Sequence, residues 1–137
     1  MLQPFSLRAA ALVLVLLALT LGACGEAGQA SGLDARQAWA LIQQRGGDAD
    51  FVVLDVRTPR EFAAGHLAGA VNLDYYAADF RKSLTALNRD RVYLMYCHSG
   101  GRSGSALKVL GGLGFTDVRH MPGGWAEWQR QGLPWTK

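Results

Sequence analysis

The sequence predicts an α/β domain built on a small parallel sheet with helices on both faces. Three observations lead there. Residues 51–56 (FVVLDV) and 91–96 (RVYLMY) are short, largely apolar runs without polar alternation; segments with apolar residues at helical spacing lie before, between and after them; and glycine or proline marks most of the junctions. Short unbroken apolar runs suit strands buried on both faces. Strands that alternate with helices lead to parallel pairing, because a crossover helix returns the chain to the same end of the sheet.

Asp34 can cap a first helix, with Gln37 three residues on and Leu33, Ala38, Leu41 and Ile42 on one face, and Gly46-Gly47 ends it. Residues 51–56 form the first strand. Arg57-Thr58-Pro59 then turns the chain into a brief helix with Pro59 near its first position, where the missing N–H costs nothing. After Gly65-His66-Leu67-Ala68-Gly69, the trio Ala70-Val71-Asn72 reads as a short strand, and Asp79 to Leu87 as a helix carrying Phe80, Leu84 and Leu87. Residues 91–96 are the next strand. Ser103 to Leu113 spaces Ala106, Leu107 and Leu110 for one helical face, Val118 to Met121 is the last strand, and Trp125 to Trp128 lies in a closing helix. Four strands are readable.

The 137 residues allow one domain with its own core, 34–137, once an N-terminal leader is subtracted. A terminal amine and Arg8 precede a 13-residue stretch, 9–21, apolar but for Thr20, the pattern of a secretory leader. A membrane-crossing helix needs roughly 20 apolar residues, so this stretch is too short for a permanent span. It runs into Leu21-Gly22-Ala23-Cys24, which resembles the lipobox of bacterial lipoproteins. On that reading 1–23 is a signal peptide, Cys24 is the first mature residue and carries lipid, and the protein is exported to the cell envelope or periplasm with a membrane as partner. Ordinary cleavage, for instance after Ala30, is the alternative. Residues 24–33 are mostly small and polar and read as a flexible tether with a reach of roughly 15 to 20 Å.

The formal charge of +3 is spread along the chain with no Lys or Arg run, which argues against a nucleic-acid partner. No histidine or cysteine cluster has metal-ligand spacing, and there is no Walker loop or dinucleotide fingerprint, so no metal or cofactor is implied. Cys24 is lipidated or removed on either reading of the leader. Cys97 is then the one thiol of the mature domain, and no internal disulfide or resolving cysteine is available to it.

The most informative stretch is Tyr96-Cys97-His98-Ser99-Gly100-Gly101-Arg102-Ser103, set where a buried strand ends and a helix begins. Ligand sites in open α/β sheets lie at the carboxyl ends of strands. N–H groups of a glycine-bearing loop that opens a helix can converge on one point, and a thiolate placed there is stabilised. Gly100 and Gly101 let the loop curl around the sulfur, and Arg102 offers positive charge to an anionic substrate. Cys97 is therefore the candidate nucleophile.

Five motifs in order, Leu54-Asp55-Val56-Arg57, Glu61-Phe62, the stretch from Gly65 to Asn72, the loop from Tyr96 to Ser103, and Gly123-Gly124-Trp125 to Trp128, give a chain that resembles the rhodanese family over nearly all of Leu33 to Lys137. The resemblance implies a three-layer fold of four to five strands, with the first before Asp34, where only Ser31-Gly32-Leu33 is available. It also implies a persulfide mechanism: the Cys97 thiolate takes a sulfane sulfur from a small anionic donor such as thiosulfate, and a thiophilic acceptor, cyanide or an external thiol, removes it. His98, Ser99, Gly100, Gly101, Arg102 and Ser103 would cradle the persulfide and the donor anion. Related cysteine phosphatases use Cys-x5-Arg; here Arg102 follows Cys97 after four residues, a shorter loop better suited to one sulfur atom than to phosphate or arsenate.

Other residues admit plainer roles. Asp55 and Arg57 can orient Arg102 or bind substrate, or equally form a local salt bridge. His66, between glycines, fits a turn-fixing hydrogen bond better than general-base work, which sulfur transfer to a thiolate does not need. The side chains of His98 and Ser99 are expected at the pocket mouth, and Trp125 and Trp128 are expected to pack. A non-catalytic binding module is the rival class, although such rhodanese-like modules typically lack the cysteine that this chain keeps.

Overall fold

The computed structural model describes residues 32–137. The leader expected over 1–23, Cys24 and the expected tether up to residue 31 lie outside the described residues. The elements run α1 (Ala35–Arg45), β1 (Phe51–Asp55), α2 (Pro59–Ala64), β2 (Val71–Asn72), α3 (Phe80–Thr85), β3 (Val92–Tyr96), α4 (Gly101–Gly112), β4 (Asp117–His120) and α5 (Gly124–Arg130). Among the described residues the sheet has four strands in the order β2-β1-β3-β4, every neighbouring pair parallel. The α/β class with a parallel sheet is as the sequence predicts. Where a fifth strand would lie, the described residues make one sheet-like bond, from the Leu33 N–H to the His120 carbonyl at 2.7 Å.

Most element ends shift by a residue or two from the sequence reading, and two shifts bear on the site. Leu33 also packs against the core, so Gly32 and Leu33 belong to the folded part rather than to the tether; a small, polar composition does not reveal a backbone bond. Helix α4 begins at Gly101, not Ser103. Gly100 takes a left-handed conformation (φ 93°) as its N-cap, and the Gly104 N–H closes the first turn on the Gly100 carbonyl at 2.8 Å. Gly101 and Arg102 are thus first-turn residues of a helix. The caps of α1 and α2 are reciprocal: Asp34 accepts from the Gln37 N–H and Gln37 accepts from the Asp34 N–H, and Thr58 and Glu61 repeat the arrangement around Pro59.

Alternation along β3 divides the core. Leu94 and Tyr96 join Ala35, Ala38 and Ile42 of α1 and Trp125 and Trp128 of α5 on one face. Tyr93 and Met95 join Phe80 and Leu84 of α3 and Ala106 and Leu110 of α4 on the other, and Cys97, one step beyond the strand, continues that second set. The period of two thus delivers the thiol to the face that α4 covers.

Asp55 and Arg57 form a buried ion pair at the end of β1. The guanidinium donates to both Asp55 oxygens (Nη2 to Oδ2 2.6 Å) and to the Gly65 carbonyl (2.7 Å), and lies 4.6 Å from the Trp125 ring and 5.5 Å from that of Tyr96. It joins β1, the turn before β2, β3 and α5. Burial alone would lower the pKa of Arg57; the bonds and charge of Asp55 outweigh it and hold the group firmly cationic. His66 packs its ring on Phe62 (centroids 3.7 Å apart), its Nδ1 lies 2.9 Å from the Phe62 carbonyl, and its backbone exchanges two bonds with Thr136.

Arg57→Met leaves Asp55 buried without its partner and should cost about 3–5 kcal/mol. The double variant Asp55→Leu/Arg57→Met, which removes both charges, should lose less than Arg57→Met alone. Urea denaturation measures both, and an Arg57→Met midpoint equal to the wild type's would remove the pair from its structural role.

Candidate active site

Cys97 follows the last residue of β3 and is 1 % exposed. Its sulfur accepts the Gly100 N–H at 3.1 Å and the Ser103 hydroxyl at 3.3 Å. The carbonyl groups of the same loop face the other way: that of Cys97 accepts the Trp125 N–H at 2.8 Å, and that of His98 accepts the Ala126 N–H at 3.0 Å. Both N–H groups come from the first turn of α5, where intrahelical acceptors are lacking. Two glycines permit this closeness. Gly124 has φ 57°, and a Cβ there would stand 2.5 Å from the Cys97 oxygen and 2.6 Å from that of His98; a Cβ on Gly100 would collide with the Pro122 carbonyl.

Burial pushes the Cys97 thiol up, but it is outweighed by hydrogen bonds to the thiolate from the Ser103 hydroxyl and from the N–H groups of Ser103, Gly100 and Ser99. The net shift is downward. The Ser103 N–H belongs to the first turn of α4 and has no acceptor within the helix, so the helix contributes its positive end to the sulfur.

A cleft of about 390 Å³ reaches Cys97 between Tyr75, Tyr76, Ser99, Gly101, Arg102 and Ser105. Arg102 is not a free charge. Its Nη1 and Nη2 donate to the two oxygens of Glu61 at 2.7 and 2.8 Å, and its guanidinium lies 5.7 Å from the Tyr76 ring. That bidentate pair is the main reason the Glu61 carboxyl is held at about 2, with burial opposing and the Thr58 N–H and hydroxyl assisting. The same bonds raise Arg102 above its ordinary value.

The structure thus brings Cys97, Ser99, Gly100, Gly101, Arg102 and Ser103 together. It does not bring in the others. The exposed His98 side chain is absent from the cleft lining, and His98 serves through its carbonyl instead. Asp55, Arg57 and His66 are engaged with β1, the Gly65 turn and the C-terminal segment, and Arg102 is oriented by Glu61 rather than by them. Sequence reasoning assigned no site role to Glu61, Tyr75, Tyr76 or His120. His120 Nε2 lies 2.8 Å from the Ser103 hydroxyl oxygen. It is the last residue of β4, paired in register with Met95, so placing both strand ends side by side would have revealed it.

The model of the rhodanese-like domain family matches residues 32–131. The chain belongs to that family. Among curated rhodanese relatives, it is similar to the thiosulfate sulfurtransferase GlpE of Pseudomonas putida (40% identical over 94 residues, 68% of this chain and 79% of that protein). It is also similar to the chloroplastic thiosulfate sulfurtransferase 16 of Arabidopsis thaliana (37% over 91 residues, 59% and 76%) and to a sulfurtransferase of Allochromatium vinosum (35% over 95 residues, 69% and 87%). Among solved structures, a rhodanese-related protein from Thermoplasma volcanium superimposes with a TM-score of 0.66 at 28% identity, covering 77% of this chain and 96% of that one.

Alkylation of Cys97 by iodoacetamide should follow a pH midpoint below the value of about 8.5 of a free thiol, and Ser103→Ala should move it upward. A wild-type midpoint at or above the free-thiol value would contradict the loop geometry. The Glu61 pair has its own pH window. Because the folded carboxyl lies at about 2, below its ordinary 4.5, its contribution to stability is complete above 4.5 and disappears as pH falls through 2. The stability advantage of wild type over Glu61→Gln, followed by thermal unfolding, should therefore shrink across that window; an advantage constant from neutral pH to 2 would contradict the assignment.

Proposed function

We propose that the protein is a sulfurtransferase that carries sulfane sulfur on Cys97. The supporting observation is the Cys97 sulfur itself, buried at a strand end, supplied with two hydrogen-bond donors and lining the cleft beside Arg102. That is an environment for a thiolate, the form of cysteine that acts as a nucleophile. The relatives named as thiosulfate sulfurtransferases support the same reading.

In the first step the thiolate attacks the outer sulfur of thiosulfate. The bond from Sγ to that sulfur forms, the S–S bond of the donor breaks, and its electron pair leaves with sulfite. In the second step an acceptor nucleophile attacks the outer sulfur of the persulfide, and the electron pair of that bond returns to Cys97 as thiolate. Cyanide would leave as thiocyanate and a thiolate as its own persulfide. No proton crosses in either step. N–H groups aimed at the sulfur favour the first step through the population of thiolate and the second by stabilising it as a leaving group. Arg102 has guanidinium N–H groups beyond the two that Glu61 engages, and these can meet the oxygens of a donor anion.

The leader adds a place to this activity. We propose that the domain works in the cell envelope, tethered to a membrane by lipid on Cys24, the reading that Leu21-Gly22-Ala23-Cys24 supports.

Incubation with thiosulfate followed by intact-mass measurement should add one sulfur atom to wild type and none to Cys97→Ser, and cyanide should then remove it as thiocyanate. No gain from thiosulfate or from polysulfide would overturn the transfer reading and leave a binding module.

A further inference from the structure

The Ser103 hydroxyl oxygen stands within reach of three partners at once: the Cys97 sulfur and the Gly100 carbonyl, each at 3.3 Å, and Nε2 of His120 at 2.8 Å. A hydroxyl carries one proton and can donate to one of them at a time. The imidazole determines which. With its proton on Nε2, His120 donates to the serine oxygen, and the serine proton is left for the thiolate, which as a full charge is a stronger acceptor than a carbonyl. With its proton on Nδ1, the bare Nε2 is the nearest acceptor and draws the serine proton away from the sulfur.

We infer that His120 is a positioning residue for Cys97, held as the Nε2–H tautomer so that the Ser103 hydroxyl points at the sulfur. His120 ends β4, pairs with Met95 of β3, and receives the Leu33 N–H on its carbonyl, while Ser103 and Gly104 of α4 lie against its ring. None of these neighbours is charged. Burial keeps the imidazole below its ordinary pKa, so at neutral pH it donates through its tautomer and not through charge. The charged group that bears on Cys97 is Arg102, on the same helix and tied to Glu61.

The catalytic meaning of this arrangement rests on the sulfur-transfer reading. Once the outer sulfur is attached, the negative charge moves outward and Sγ becomes a weaker acceptor. The charge returns to Sγ when the acceptor takes the sulfur. His120 is thus expected to matter in the return step as well as in the first attack, without accepting or giving a proton in either.

The test is the pH midpoint of Cys97 alkylation by iodoacetamide in the full chain. His120→Ala should raise it by about half a unit to one unit, or roughly threefold to tenfold less thiolate below the midpoint. His120→Gln, whose amide N–H reaches the position of Nε2, should restore it, and His120→Ala should add nothing when Ser103 is already alanine. A His120→Ala midpoint equal to wild type, or an equal shift with and without the Ser103 hydroxyl, would overturn the proposal. Should His120→Ala fail to fold, long-range proton–nitrogen NMR of the wild-type imidazole decides directly: Nε2–H is expected, and Nδ1–H at neutral pH would falsify it. Neither measurement involves sulfur loading, so failure of the transfer reading and failure of the tautomer assignment are told apart.

Discussion

A peptide unit points its carbonyl and its N–H in opposite directions, and the reactive loop depends on that constraint. The carbonyl groups of Cys97 and His98 are drawn outward to the Trp125 and Ala126 N–H groups at the start of α5. The amides that follow those carbonyls are turned the other way, which puts the Ser99 N–H among the groups that stabilise the sulfur. Helix α5 therefore shapes the site without touching the sulfur. It can do so only because Gly124 has no Cβ to keep the two carbonyls away. The Gly-Gly-Trp motif is in this sense part of the same device as the cysteine loop, although 19 residues, 104–122, separate them in sequence.

The electrostatics around Cys97 are those of close hydrogen bonds more than of net charge. The formal cation of the cleft, Arg102, is matched by a carboxylate with both oxygens engaged, so the local charge sums close to zero. Burial works against the thiolate, and a handful of oriented N–H and O–H groups reverses it. Oriented dipoles in a poorly solvated place are effective because they need little reorganisation when the charge arrives or leaves. The buried Asp55–Arg57 pair on the opposite face of the sheet is different in kind: its side chains bond to one another and to the Gly65 carbonyl, are shielded by Trp125 and Tyr96, and join four elements.

Much of this was legible in the sequence because it depends on local chemistry. The apolar runs at 51–56 and 91–96, Pro59 at a helix start and the Asp34/Gln37 pair each act over a few residues, and each produced the element expected of it. Cys97 was recognisable from its place between strand and glycine loop. What escaped were contacts that exist only after packing. Glu61 meets Arg102 across 41 positions and His120 meets Ser103 across 17; the Glu61-Phe62 motif names no partner, and nothing beside His120 in sequence marks it. The start of α4 was misplaced because glycines ordinarily signal loop, whereas Gly100 here is a left-handed cap and Gly101 the first helical residue.

The bond from Leu33 to His120 also sets where the first described residues lie relative to the reactive loop. The chain enters the fold at Gly32, against the ring of Pro122, and the Pro122 carbonyl in turn abuts Gly100 of the reactive loop. Gly32 and Leu33 therefore lie at the same end of the sheet as the sulfur, not at the opposite pole. A side chain at position 32 would press on Pro122 and, through its carbonyl, on Gly100, so the first described residues are coupled to the shape of the reactive loop.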